Sequence, residues 1–138
     1  MSKSVLSAGR IIREALLADT EISEAVGSNV FPLVAPAGTK GDYILYARED
    51  GGEVPGQMGT QEEKATVTIN VNSVDYDRGL HIAEMVRNVV RKVRYGRYGF
   101  QRTHDREDVA GLTDKGQTVY TQILEYEVSD LFLASGLV

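Results

Sequence analysis

Cysteine and tryptophan are absent from this chain of 138 residues, and only three prolines and two histidines occur. The absence of cysteine excludes disulfides, thiolate metal sites and thiol nucleophiles, and it leaves the stability of the fold to side-chain packing. Continuous apolar runs are short, and none approaches the ~20 residues that cross a bilayer. The residues after Met1 lead into an amphipathic pattern and not a signal-peptide core, so we expect no membrane partner.

Positive charge is also scarce, and the net charge is −5. This balance argues against specific nucleic-acid binding as the main role. The charges are segregated along the chain: residues 78–106 hold eight basic and two acidic residues, whereas residues 49–63 hold five acidic residues and no basic one. Such segregation suits self-assembly through complementary patches, although a solvated helix end and a solvated loop would give the same pattern.

Residues able to carry out catalysis are few. His81 and His104 are the only imidazoles, no glycine pattern matches a phosphate-binding loop, and no Gly-x-Ser-x-Gly elbow occurs. The run from His104 to Asp108 concentrates potential metal ligands, but side chains along a strand point alternately apart, and no second cluster completes a site. We therefore expect no enzyme activity, no catalytic residue, no metal site and no cofactor.

The periodicity of the apolar residues predicts one domain over residues 1–138, with elements in the order helix, strands, helix, strands. That order favours an α+β fold: a mainly antiparallel twisted sheet of about four strands, with two main helices packed on one face. Residues 95–109 are ambiguous, being turn-rich and then possibly extended. Helices are predicted over Val5–Leu16, Thr20–Val26 (ended by Gly27) and about Asp75–Arg94, and strands over Val30–Val34, Tyr43–Arg48, Ala65–Asn72 and Val119–Leu131.

The centre of the core is predicted where the only long amphipathic helix covers the only clearly alternating sheet face. Its residues are Ile69, Val71, Val86, Val89, Val90, Leu124 and Tyr126.

Residues 49–61 are predicted to form a long mobile loop between strands. Val54 and Met58 are the only sizeable apolar side chains there, among four glycines, one proline and three acidic residues, so burial cannot offset the entropy of ordering this segment. A loop of this length in a compact domain usually has a function. Residues 135–138 are expected to form a flexible C-terminus.

Two segments are candidates for contacts with other subunits: the acidic loop and residues 95–102. In the second segment tyrosine and arginine alternate with glycine, and such side chains stack on bases, fill a groove of a protein partner or complete a hairpin edge. Arg91 and Arg94, at the basic end of the long predicted helix, are candidates as well. The candidate interface or lumen residues are Glu49, Asp50, Glu53, Met58, Arg91, Arg94, Tyr95, Arg97, Tyr98 and Arg102.

The order of these pieces resembles the tail-terminator (tail-completion) family of siphovirus-type phages and prophages. The likeness covers most of the chain, and it is one of pattern and order without a catalytic signature. It is carried by the helices of residues 7–26, the segment 29–32 with the strand 43–46, the alternating strand 65–71 that leads into the helix 76–93, and the closing strand 120–128.

The resemblance implies a structural virion protein that forms a homo-oligomeric ring, typically of six subunits, on the end of the tail tube. The ring would end tail elongation and join the tail to the head. Its partners would be the tail-tube protein and the head-completion or connector protein, with assembly in the host cytoplasm and a final place at the head–tail junction. The loop after the Tyr43 strand would lie toward the lumen of the ring or toward the tube.

Two alternatives stay open. The first is another head–tail connector, neck or tail-tube subunit of similar fold and size. The second is a small ligand-binding regulatory α+β domain, which requires a concave apolar pocket with convergent polar groups.

Overall fold

The structure is a computed structural model, and it describes residues 5–55, 61–95 and 98–129. The elements in these ranges are a 3-10 turn Val5–Ser7, α1 Ala8–Ala18, α2 Thr20–Val26, β1 Val30–Pro32, β2 Tyr43–Pro55, β3 Gln61–Ser73, α3 Tyr76–Arg91, β4 Arg94–Tyr95, β5 Tyr98–Gly99, β6 Gln101–Leu112 and β7 Thr118–Ser129.

Five strands form one mixed sheet in the order β1-β2-β3-β7-β6, and β4 and β5 form a separate short hairpin. β1 runs parallel to β2, whereas the other three pairs in the sheet are antiparallel. The predicted α+β class and the mainly antiparallel sheet are therefore confirmed. The sheet has five strands instead of about four. The short helix α2 is present in addition to the two main helices, α1 and α3.

One face of the sheet packs against the helices and forms the core. Along β3, Ala65, Val67, Ile69 and Val71 are each at most 1% exposed, which is the alternation that the sequence predicted. Val89 is partly buried and packs against the same cluster. The other six predicted core residues are buried as expected: Ile69, Val71, Val86, Val90, Leu124 and Tyr126.

The hairpin of β2 and β3 is longer than predicted. Its ladder pairs Asp50 with Ala65 and, after an irregularity, Glu53 with Glu63 and Pro55 with Gln61. The predicted loop over residues 49–61 is therefore wrong for residues 49–55 and for Gln61, which belong to strands. Main-chain hydrogen bonds can hold a strand that has few apolar side chains. This part of the strand was not predicted because the segment has no apolar pattern.

We call residues 49–55 and 61–63, the outer part of this hairpin, the acidic arm. Met58 and the other residues between 56 and 60 lie outside the described residues, as do residues 135–138 with their predicted flexible C-terminus.

The ambiguous segment of the sequence contains β6, an edge strand. Every residue of β6 is exposed, so neither of its faces has the alternation that marks a half-buried strand. It is held by the ladder to β7, which is irregular at Thr103 and Ala110. The sequence left this segment ambiguous because pairing to a neighbouring strand, and not burial, keeps these residues extended.

The first turn of α3 is fixed by two aspartates. The Asp75 carboxylate accepts a hydrogen bond of 3.0 Å from the main-chain N–H of Arg78 and so caps the helix. The Arg78 guanidinium makes a bidentate ion pair with the buried Asp42, in which Nη2 lies 3.0 Å from Oδ1 and Nε donates to Oδ2. The helix is thereby tied to the connection between β1 and β2.

Candidate functional site

A cleft of about 470 Å³ opens between the C-terminal half of α3 and the β6 edge of the sheet. α3 packs over β3 and β7, and β6 lies beyond β7 at the edge of the sheet. We call it the basic cleft. Its lining consists of Glu84, Arg87, Asn88 and Arg91 from α3, Phe100 before β6, Arg102 from β6 and Tyr126 from β7.

Arginine dominates the rim of the basic cleft. Arg91 Nη2 donates to Asn88 Oδ1 at 2.9 Å, and Arg102 Nη1 lies 3.3 Å from Asp105 Oδ2. Arg87 makes no ion pair within the described ranges, where it lines the cleft beside Arg91. Three arginines thus stand against one lining carboxylate, Glu84, in a chain whose net charge is −5.

The floor of the basic cleft is aromatic. Phe100 is 8% exposed and Tyr126 is 3% exposed. Burial, and to a lesser extent the Asp105 carboxylate, raises the pKa of Tyr126 to about 12. The Tyr126 hydroxyl therefore stays protonated at neutral pH. An apolar floor under a cationic rim suits an acidic partner that also brings apolar or main-chain surface.

The opposite end of β6 is held to α3 by a hydrogen-bond network. The Tyr76 hydroxyl donates to Glu107 Oε2 at 2.6 Å, and Gln122 Nε2 donates to the same oxygen at 3.0 Å. The bond from Tyr76 is the larger of these two causes that lower the pKa of Glu107. The Tyr76 ring also meets Tyr120 edge to face, with centroids 5.6 Å apart. The side chains at this end of β6 thus have partners within the same copy.

The carboxylates of the His104–Asp108 run point to different partners. Asp105 pairs with Arg102, Glu107 accepts from Tyr76, and Asp108 lies 3.9 Å from Arg106. No group of three or more histidine and carboxylate side chains suited to a metal ion occurs within residues 5–55, 61–95 and 98–129. The other histidine, His81, is exposed on α3.

The acidic arm lies on the other half of the sheet, on β2 and β3. Glu49 and Asp50 are exposed, and Arg48 Nε lies 3.0 Å from Asp50 Oδ1. Farther out, the register places Glu53 directly opposite Glu63. Residues 49–63 contain five acidic residues and no basic one. An excess of acidic residues of this kind suits contact with a cationic surface.

The structure brings together only part of the predicted interface set. Arg91 and Arg102 meet at the basic cleft, whereas Glu49, Asp50 and Glu53 belong to the acidic arm. Arg94 and Tyr95 form β4 and Tyr98 belongs to β5, in the short hairpin between α3 and β6. Arg97 and Met58 lie outside the described residues.

Five residues that line the cleft were not among the candidate residues of the sequence: Glu84, Arg87, Asn88, Phe100 and Tyr126, although Phe100 lies within the candidate segment 95–102. Arg87 precedes Arg91 by four residues, and residues at that spacing share one face of a helix, so this signal was present. Phe100 and Tyr126 reach the cleft only through the pairing of β6 with β7, which the sequence did not predict.

No protein family model matches the chain, and no curated protein matches it. Among solved structures, a chain from the virion of a native gene transfer agent (GTA) particle is similar, with a TM-score of 0.64 and 15% sequence identity. The match covers 86% of this chain and 91% of that chain, so the two share a fold over nearly their whole lengths. No helix in the described ranges is long and apolar enough to cross a membrane.

Proposed function

We propose that this chain is a structural, non-catalytic virion protein of a phage-like particle. The observation that carries the proposal is the fold, which matches a chain of a gene transfer agent virion over 91% of that chain. The surface agrees with a role in assembly, because a basic cleft and an acidic arm lie on different parts of one small domain. Complementary patches of this kind steer and orient subunit contacts.

Within this class, the proposed role is that of a tail terminator. Six copies would form a ring on the end of the tail tube, end tail elongation and present the joining surface to the head. The tail-tube protein and the head-completion protein would be its partners at the head–tail junction. A contact between two different patches is heterologous, and such contacts close into a ring when the rotation between neighbours fits. The separate positions of cleft and arm support a contact of that type.

The oligomeric state tests this role directly. Light scattering after size exclusion, over a series of protein and salt concentrations, should give a hexamer whose dissociation increases with salt. Electron microscopy of the same sample should show rings. Absence of the chain from purified particles would contradict the virion role.

Deletion of the gene in a particle-producing host distinguishes the terminator from related roles. Loss of the terminator should leave heads separate from tails of uncontrolled length. Unjoined tails of normal length would instead indicate a neck or connector subunit, and loss of tails would indicate a tube subunit. Normal joined particles would contradict all three.

The basic cleft also favours a second candidate, a small ligand-binding regulatory domain. Its volume falls within the ~300–1,000 Å³ of small-molecule sites. Its rim, however, is charged rather than apolar. A thermal-shift screen with small anionic compounds would support this reading if one of them raised the melting temperature in proportion to its concentration.

A further inference from the structure

The basic cleft and the acidic arm lie at the same end of the strands. The register aligns Arg102, Tyr126, Val67 and Arg48 in one row across the sheet. The cleft is built on the first two residues of this row, and the arm starts with Glu49, directly after the last one. The arm therefore starts level with the cleft, and its outer part, where Glu53 pairs with Glu63, lies beyond the cleft along the strand direction.

Within one copy, the sheet keeps the two surfaces apart. β3 and β7 lie between β2 and β6, so three strand spacings, or about 14 Å, separate the strand of the arm from the strand of the cleft. The ladder to β3 fixes the arm in that position. The arm of the same copy is thus too far away to neutralise the arginines of the cleft by direct ion pairs.

A neighbouring copy does not have this restriction. If the next subunit is related by rotation about an axis roughly parallel to the strands, its β2 side faces the β6 side of the first subunit. The start of its arm, at Glu49, is then at the height of the cleft without any tilt. Repetition of this operation is the heterologous contact that closes a ring.

The chemistry of the two surfaces fits such a contact. The cleft offers Arg87, Arg91 and Arg102, and guanidinium groups bind carboxylates in bidentate geometry. Residues 49–63 contain five acidic residues and no basic one, so the charge of this segment is opposite in sign to that of the cleft rim.

We propose that the acidic arm of one copy docks in the basic cleft of the next copy. This inference rests on the proposed ring and names the surfaces that form it. It differs from a placement of Glu49 and Glu53 in the lumen, where these carboxylates would contact no neighbouring subunit.

Charge reversal tests the contact. The variant with Arg87→Glu and Arg91→Glu has an acidic cleft, and the variant with Glu49→Lys and Glu53→Lys has a basic arm. Each variant alone should associate roughly tenfold more weakly than the wild type, or not at all, because like charges meet at every contact. A chain with all four substitutions should recover the oligomer, and so should an equimolar mixture of the two variants.

A control variant separates the contact from net charge. Arg10→Glu with Lys115→Glu changes the net charge by the same amount as the reversed cleft, at exposed positions outside cleft and arm. This variant should associate like the wild type. Circular dichroism and thermal unfolding of every variant would establish that each one is folded.

Cross-linking in assembled particles gives a second measurement. It tests the contact even if the ring forms only on the tail and not in solution. The chain contains no cysteine, so introduced thiols are unique. With Glu53→Cys and Arg91→Cys in one chain, a short bis-maleimide should produce a ladder up to the hexamer. Glu53→Cys with Lys115→Cys should not, because Lys115 lies in the turn at the opposite end of the strands.

The outcomes separate the two proposals. Rings that withstand both charge reversals and give no ladder would overturn the docking while leaving the ring role intact. A chain that is monomeric in solution and absent from particles would overturn both. If the variant with Glu49→Lys and Glu53→Lys forms normal rings but fails in tail completion, Glu49 and Glu53 would be assigned to the lumen. That result would overturn the docking.

Discussion

The ion pair between Asp42 and Arg78 should stabilise the fold through its aspartate. The Asp42 side chain is 5% exposed and that of Arg78 is 50% exposed. Asn29 Nδ2 donates to the main-chain carbonyl oxygens of Lys40 at 2.8 Å and of Asp42 at 3.2 Å, which holds the aspartate in place. Removal of the arginine would therefore leave a buried carboxylate that cannot turn toward water easily.

The loss in the free energy of unfolding that follows removal of Arg78 lies between two limits. Loss of one partner from a fully buried pair costs about 3–5 kcal/mol, and exposed pairs contribute about 0–1 kcal/mol. Because half of the Arg78 side chain is in solvent, we expect Arg78→Met to lower the free energy of unfolding by about 1–3 kcal/mol. Asp42→Asn should cost less, about 1 kcal/mol, since it leaves a neutral buried amide and an arginine that solvent reaches.

A double-mutant cycle measures the coupling. The free energy of unfolding is measured in urea by circular dichroism. The loss in the double variant should be smaller than the sum of the losses in the two single variants by about 1–2 kcal/mol. Salt should change the coupling little, because the carboxylate is buried. Additive effects within about 0.5 kcal/mol, or a loss below that value for Arg78→Met, would refute the assigned role of this pair.

Two further predictions concern the core. Ile69→Ala should lower the free energy of unfolding by about 2–5 kcal/mol and Val89→Ala by only about 1 kcal/mol. The reason is that Ile69 is 0% exposed whereas Val89 is partly buried. Equal losses in urea unfolding would contradict this placement of α3. The pKa of Tyr126 in the folded state, about 12, lies above its ordinary value of 10.0, so its contribution to stability is complete below pH 10 and is lost as the pH rises toward 12. Unfolding measured across this window should be less dependent on pH in Tyr126→Phe than in the wild type.

Elements with a buried face were predictable from the sequence. β3 showed strict alternation because one face packs in the core, and α2 was predicted over Thr20–Val26, where it is found. Its end was also predicted, since Gly27 adopts a positive φ of 62° there. Local chemistry and burial leave a periodic pattern in the sequence, so these elements were identified.

Elements held by pairing alone were not predictable. β6 is exposed along its whole length, and residues 49–55 of β2 extend beyond the core, so neither segment has a period that marks a strand. The same limit applies to the site. Arg91 and Arg102 were candidates by composition, but their meeting across one cleft depends on the ladder between β6 and β7.

The edge strand β6 bears on how the proposed ring would stay finite. An exposed edge can add a strand from another chain, and repeated addition of that kind produces open-ended assemblies. β6 carries two features that oppose such addition: irregular pairing at Thr103 and Ala110, and alternating charges such as Asp105 and Arg106. With strand addition disfavoured, side-chain contacts such as the proposed docking of arm in cleft remain as the route to association. Because each copy would contribute its basic cleft to one neighbour and its acidic arm to the other, a closed ring of the proposed kind would leave neither surface available for further growth.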